Sequence, residues 1–317
     1  MTGKVFVLGS INADYVMTTE RVPKAGESVI GKHFHVNQGG KGANQAVACA
    51  KLGCPCELIG AVGSDAVSEE LLSSVCSYGV KVQAVRRLNG ASGACVIVVD
   101  EREKENYLLV APGANEKVDA GFVRSYLRGN AKKGDVFITQ LEVNLDAVSA
   151  ACREAKEKGM YVILNPAPAA QIGEEILSFV DLVVPNETEA EFLTGKTIVT
   201  EEDALAAYAV FAKYGVGTMI VTLGSRGCVY ADADGAQFFS AVKATSIDPT
   251  SAGDTFIGAV AARLCRGENV KKAIFYASLC AAVTVSRRGA AVSVPTEGEI
   301  EKILDGKEAC DVRSVTL

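Results

Sequence analysis

VFITQLEVNLDAVSAACREAKEKGMYVILN, residues 136–165, decides the fold. Val136–Thr139 and Tyr161–Leu164 are short, continuous apolar runs, and the segment between them, Leu145–Lys158, carries apolar residues at helical spacing. Strands without polar alternation are buried on both faces, and two of them joined by a helix pair in parallel. The pattern repeats downstream. Strands are expected at Leu182–Val184 and Met219–Thr222, with helices near Val118–Arg128, Ile172–Phe179 and Glu201–Tyr214. Upstream, Val5–Gly9 reads as a buried first strand, Ala43–Leu52 as a helix stopped by Gly53, Glu57–Val62 as a strand and Asp65–Tyr78 as a helix. Thr255–Arg266 and Val270–Ser286 close the core. This alternation predicts an α/β fold, an αβα sandwich around a mainly parallel central sheet.

One block breaks the rhythm. Ile11–Asn37 holds Pro23, Gly26 and Gly31 among short β-branched pieces, and Ala94–Val99 with Asn106–Val110 reads as a hairpin around the charged turn Asp100–Glu105. No linker composition sets these pieces apart. They are expected to form a small β-sheet lid, from about 11–41 and 91–112, on a single catalytic domain spanning 1–317. Such a lid would lie over the C-terminal strand ends, where open α/β sheets bind ligands.

The chain has 317 residues, 49% hydrophobic and 22% charged, with a net charge of −6, enough for a substantial core. Its Lys and Arg are dispersed, which gives no footprint for nucleic acid or an acidic membrane. No apolar run approaches a membrane span, and the first one is too short for a signal peptide. Ten cysteines form no C-x-x-C pair, and with two histidines, His33 and His35, a structural zinc site is not expected. The thiols read as reduced and packed, in a cytoplasmic protein, with Cys54-Pro55-Cys56 as a turn before a strand.

Chemistry concentrates in a few glycine-rich stretches. In Asp248-Pro249-Thr250-Ser251-Ala252-Gly253-Asp254-Thr255 a loop of small residues runs into an apolar helix. Asp254 at such a helix mouth is either an N-cap or a carboxylate beside an anion held by free amides, where it could take a proton from a hydroxyl. Gly39-Gly40-Lys41-Gly42-Ala43-Asn44-Gln45 is a flexible turn or a close backbone approach to a ligand, with Lys41 and Asn44 as donors. Asn12 and Asp14 after the first strand are turn formers or a grip on sugar hydroxyls. Glu142 is likewise a polar group beyond a strand end. Asn186 and Glu189 open a helix and could hold waters around Mg²⁺, although a capping box from Thr188 to Glu191 explains that stretch as well. Thr222–Gly227 offers a glycine-lined edge to a nucleotide. There is no P-loop, no G-x-G-x-x-G after a strand and no protein-kinase catalytic loop.

Taken in order, Gly9–Asp14, Gly39–Gln45, Asn165–Pro168, Pro185–Glu189, Thr222–Gly227 and Ala252–Gly258 resemble the motifs of the ribokinase/PfkB carbohydrate kinase family, over roughly Lys4 to Pro295. The resemblance implies ATP-dependent phosphorylation of a sugar, D-ribose at its 5-hydroxyl. Asp254 would be the general base, and the amides of Ala252, Gly253 and Asp254 the anion hole. It assigns Asn12, Asp14, Gly40, Lys41, Asn44 and Glu142 to the sugar, with Cys95 and Ile97 packing on it from the lid. Asn186, Glu189, Thr222, Gly224, Gly227 and Gly253 fall on the nucleotide and Mg²⁺ side. Asp248, Thr250, Thr284, Arg287, Gly289 and Ser293 match a site for an activating K⁺. A lid that clasps its copy implies a homodimer. Pro249 stands where Thr is common, Ser251 where Gly or Ala is common, and Cys95 where a smaller residue is usual. The alternatives are a kinase of 2-deoxyribose, another pentose or a nucleoside, and a silent sugar or nucleotide sensor.

Overall fold

Residues 3–103 and 105–306 are described by the computed structural model. Lys104 of the expected turn and both ends of the 1–317 unit lie outside the described residues. A nine-stranded sheet runs through the centre. Its parallel strands are β1 (Val5–Leu8), β4 (Cys56–Val62), β5 (Lys81–Arg87), β8 (Val136–Thr139), β9 (Tyr161–Leu164), β10 (Leu182–Val183) and β11 (Thr218–Thr222). An antiparallel pair, β12 (Cys228–Asp232) and β13 (Gly235–Phe239), completes the edge beside β11.

Alternation along each strand feeds two cores. Val5 and Val7 of β1 point to one side, where α1 (Lys41–Lys51), α2 (Ser68–Ser77), α8 (Ala252–Cys265), α9 (Val270–Val285) and α10 (Glu297–Leu304) pack. Phe6 and Leu8 point to the other, against α3 (Ala120–Asn130), α4 (Leu145–Glu157), α5 (Glu174–Leu177), α6 (Glu187–Thr194) and α7 (Glu201–Ala212). Both sheet faces are covered, as parallel strands require. The αβα sandwich is therefore as expected, with differences at its margins. The helix expected over Ile172–Phe179 is one turn, and α2 starts at Ser68 rather than Asp65. β5, β12, β13 and α10 had no counterpart in the sequence reading.

The second sheet has the order β3–β2–β6–β7, from β2 (Asn12–Thr19), β3 (His33–Gly39), β6 (Gly93–Asp100) and β7 (Glu105–Ala111). The hairpin β6–β7 is antiparallel as expected, while β2 and β6 pair in parallel, with Asp14 opposite Cys95 and Val16 opposite Ile97. Among the described residues no helix is long and apolar enough to cross a membrane.

Candidate active site

Three polar residues stand just beyond the strands of the large sheet: Ser10 after β1, Gln140 after β8 and Asn165 after β9. All are buried. The start of α1 is pressed onto the first of these strand ends. Gly40 has φ 88°, and a methyl on Gly42 would lie 2.5 Å from Gly9 Cα and 2.6 Å from Ser10 N. Only a glycine tolerates that approach, and the Ala43 N–H donates to Ser10 O at 3.0 Å. This placement turns Lys41, Asn44 and Gln45 toward α8.

Asp254 meets them. Its Oδ2 accepts from Asn44 Nδ2 at 3.2 Å and its Oδ1 from Gln45 Nε2 at 3.0 Å, all three side chains being buried. The helix begins at Ala252, not Thr255, so Asp254 is its third residue and not its N-cap; the cap position belongs to Ser251. Ser251 is the only non-glycine with positive φ among the described residues, at 63°, and its buried Oγ has no partner. The left-handed region costs a residue with a Cβ about 1–2 kcal/mol. That cost accounts for a preference for glycine at this position. Of the three amides expected in the anion hole, Ala252 N–H donates to Pro249 O at 3.2 Å, while those of Gly253 and Asp254 have no protein acceptor among the described residues. A helix N-terminus with free N–H groups attracts an anion.

On the lid side, Asn115 holds Asn12: its Nδ2 donates to Asn12 Oδ1 at 2.8 Å, and its Oδ1 accepts from Ile11 N at 3.0 Å. Glu142 accepts from the Ser10 hydroxyl and, at 3.2 Å, from the Lys41 N–H. Asp14 lies over Gly39, where any Cβ would collide with its carboxyl. Burial, together with the charges of Glu142 and Asp254, pushes the Asp14 carboxyl up to about 7. Burial works against the Lys41 ammonium, yet Asp254, Glu142 and Glu189 together outweigh it and raise its pKa. Cys95 is buried and faces the same group of carboxylates; burial, then Asp14 and Glu142, raises its thiol to about 11. Ile97, two residues on, is half-buried on the same face of β6. A cavity of about 560 Å³ opens beside Asn12, Asn115, Glu142 and Val110.

Across Gly253 lies a second cavity, of about 740 Å³, lined by Thr222, Gly224, Gly227, Ala252, Gly253 and Phe256 among others. Asn186 pairs with Thr222 in an isolated bridge that brings the start of α6 to its rim. The capping box of α6 is formed by Asn186 and Glu189, at 2.8 and 2.9 Å, not by Thr188 and Glu191. Burial raises the Glu189 carboxyl despite the Asn186 N–H and Lys41, which oppose it. A larger cleft, of about 1530 Å³, lies at the opposite, N-terminal edge of the sheet, and none of these residues lines it.

The expected cation set is only partly assembled. Asp248 ties two loops together, accepting from Thr250 N and Gly289 N at 2.9 Å each. Burial opposes its ionisation, but the Thr250 hydroxyl and those two N–H groups prevail and lower its pKa. Ser293 donates to Ala290 O at 2.6 Å. Thr284 points elsewhere, its hydroxyl on Thr255 Oγ1 at 3.2 Å and its carbonyl taken by Arg287 N at 3.0 Å. The Arg287 side chain pairs with Glu299 at 2.7 Å. Ser10, Asn115 and Gln140 had not been singled out from the sequence. The usable signal for Gln140 was the one that marked Glu142, a polar side chain just past an apolar strand.

The family model described as "pfkB family carbohydrate kinase" matches residues 2–297. The chain is 38% identical over 307 residues to a ribokinase of Schizosaccharomyces pombe, covering 94% of this chain and 96% of that one. It is 32% identical to a deoxyribokinase of Salmonella typhi, with 96% and 99% covered. The structure of Arabidopsis thaliana ribokinase complexed with ribose and ATP superposes with a TM-score of 0.87 at 31% identity, covering 96% of this chain and 99% of that one. The chain belongs to the pfkB family of carbohydrate kinases.

Proposed function

We propose that this chain transfers the γ-phosphoryl group of ATP to the 5-hydroxyl of D-ribose. The observation that carries the reading is Asp254. It is a buried carboxylate held by two neutral amides, Asn44 and Gln45, at a helix start with free N–H groups, and the residue before it, Gly253, walls the 740 Å³ cavity. Ribose would sit among Asn12, Asp14, Gly40, Lys41, Asn44 and Glu142, with Cys95 and Ile97 above it. The nucleotide would lie along Thr222, Gly224 and Gly227 in the 740 Å³ cavity. Asp254 takes the hydroxyl proton as the oxygen attacks in line. The Gly253 and Asp254 N–H groups receive the charge of the migrating group, and Lys41 neutralises it from the side. The same reading makes 1–317 one catalytic unit, with a lid from about 11–41 and 91–112, working in the cytoplasm.

Kinases of this kind use a divalent ion with ATP. Among the described residues no three His, Cys, Asp or Glu side chains converge on a metal centre. Glu189 keeps one oxygen outside its capping box, so Asn186 and Glu189 fit Mg²⁺ held mainly by phosphates and waters. The ion would neutralise β- and γ-phosphate charge. The loops joined by Asp248, whose carboxyl is held below its usual range by the Thr250 hydroxyl and two N–H groups, favour K⁺ as the activating cation. Replacing a bulky organic cation by KCl at constant ionic strength should raise turnover on the order of tenfold, about 1.4 kcal/mol of barrier. A flat response removes K⁺ from the mechanism. The edge strand β7 exposes Leu108, Leu109 and Val110 by 59%, 71% and 56%, which favours a homodimer through the lid.

The test of the substrate is a panel of pentoses, deoxypentoses and nucleosides in a coupled ADP-release assay. D-ribose should give the highest kcat/KM. A higher value for 2-deoxyribose or a nucleoside would overturn the assignment, and no turnover with any sugar would leave a sensor.

A further inference from the structure

Behind Asp254 lies a chain of buried amides. Gln45 Nε2 donates to Asp254 Oδ1 at 3.0 Å and to Asn165 Oδ1 at 3.1 Å. Gln45 Oε1 accepts from Gln140 Nε2 at 2.6 Å, and Asn165 Nδ2 donates to Val184 O at 3.0 Å. Gln45 and Gln140 are both 0% exposed. The direction of every bond follows from one fact: an ionised carboxylate can only accept. Asp254 therefore requires the Gln45 NH₂ on its side, which leaves Gln45 Oε1 toward β8 and fixes Gln140 with its own NH₂ inward. Asn165 agrees independently, because its NH₂ must meet the Val184 carbonyl and so presents its oxygen to Gln45. The chain then ends on Gln140 Oε1, which is buried and has no protein partner among the described residues. That oxygen lies against Gly9, where any Cβ would collide with it. The residue that closes the relay is thus left with an unmet acceptor, which proteins rarely tolerate without a return elsewhere.

We propose that Gln140 and Gln45 are positioning residues for phosphoryl transfer. Their fixed polarity holds Asp254 in one rotamer, with its open lone pairs toward the sugar hydroxyl. Gln140 acts through Gln45 and touches neither substrate. Each amide in the line polarises the next, so the donor that reaches Asp254 is stronger than an isolated one. Turning the Gln45 amide would set its oxygen against Asn165 Oδ1 and its NH₂ against Gln140 Nε2, so the relay opposes rotation of the donor that reaches Asp254. The inference rests on the reading of Asp254 as general base.

The charged groups facing Asp254 are Asp14 from β2, Lys41 from α1 and Glu189 from α6, while Glu142 after β8 faces Asp14 and Lys41. None of them is altered in the test, which follows kcat/KM for ATP against pH at saturating ribose, so that titration of the empty sugar site does not intrude. Gln140→Met should lower kcat on the order of tenfold and leave KM for ribose and ATP within about twofold, because the Gln45 donor that reaches Asp254 is no longer anchored from behind. Gln140→Glu is nearly isosteric and keeps the experiment decisive should the methionine variant fail to fold. Once ionised, the carboxylate introduced at this position has no hydrogen to donate to Gln45 Oε1, and the Gln45 side chain is drawn round. This variant should therefore lose activity as pH rises and regain it when the new carboxyl is protonated and can donate. An unchanged kcat in Gln140→Met, or a loss in Gln140→Glu that is uniform at every pH with a lowered Tm, would show a packing role only and overturn the proposal. Asp254→Asn run alongside separates the two readings. If it is inactive while Gln140→Met keeps its kcat, the relay alone fails; if it is active, the base assignment fails first.

Discussion

Asp254→Asn should cost about 10²–10⁴ in turnover, the range for removing a general base. Two losses coincide at this position. The amide cannot take the sugar's proton, and it also places an NH₂ group where the protein supplies only donors, since Asn44 and Gln45 both point N–H groups at residue 254. One of them must turn away or remain unpaired. The N–H groups of Gly253 and Asp254 are backbone and survive the change, as does the cavity lined by Thr222, Gly224 and Gly227. ATP affinity by calorimetry should therefore stay within about threefold, a change of roughly 0.7 kcal/mol. A variant that turns over near the wild-type rate would reduce Asp254 to a structural group. A parallel loss of ATP binding would mean that the loop before α8 had collapsed, and the base would have to be tested by another substitution.

What was legible in the chain follows from range. β1, β8 and β9 are apolar throughout because helices cover both faces, so four residues of sequence sufficed for each. β5 escaped because it lies at the sheet edge and buries only Ala84 completely; the rest of Lys81–Arg87 reads as a polar surface. β12 and β13 escape because Thr222–Gly227 reads as a ligand-side loop, although Asp232–Gly235 closes a tight turn between them. Asn186 and Glu189 open α6 as expected, while its capping box lies two residues before the Thr188–Glu191 spacing. Asn186–Glu189 and Thr188–Glu191 have the same cap spacing, and only the pairing of Asn186 with Thr222 decides between them.

The same distinction divides the site. Lys41, Asn44 and Asp254 stand beside glycines or at helix starts, and Asn12 and Asp14 follow the first strand, so local sequence marks them. Asn115 and Gln140 work through partners 103 and 95 residues away, and no local pattern carries that information. Lys41 illustrates the middle case. Its place at a helix start was readable, but the three carboxylates that keep it charged come from α8, α6 and the loop after β8.

Asp14→Ala should weaken ribose binding about 5- to 150-fold, the equivalent of 1–3 kcal/mol for a hydroxyl left without its partner, while leaving ATP binding unchanged. The expected pH dependence is more specific. With its carboxyl raised to about 7 by burial, Glu142 and Asp254, Asp14 is largely protonated in the empty site at pH 6. A sugar hydroxyl that donates to it favours the ionised form, so binding releases a proton where the empty site holds one. Ribose affinity should rise with pH through about 7 and level off above it. For stability the sign is opposite. The folded state holds this proton more tightly than the unfolded chain, with its ordinary value of 3.8, so the contribution of Asp14 falls as pH rises from about 4 toward about 7 and is constant beyond. Ribose titrations at pH 6, 7 and 8, in buffers of different ionisation enthalpy, read the proton directly. Asp14→Asn should abolish both the release and the slope. If Asp14 grips the 2-hydroxyl, the preference for ribose over 2-deoxyribose should shrink in both variants. A wild-type affinity flat from pH 6 to 8 would place Asp14 off the sugar, and the discrimination would then have to come from Asn12 or Asn44.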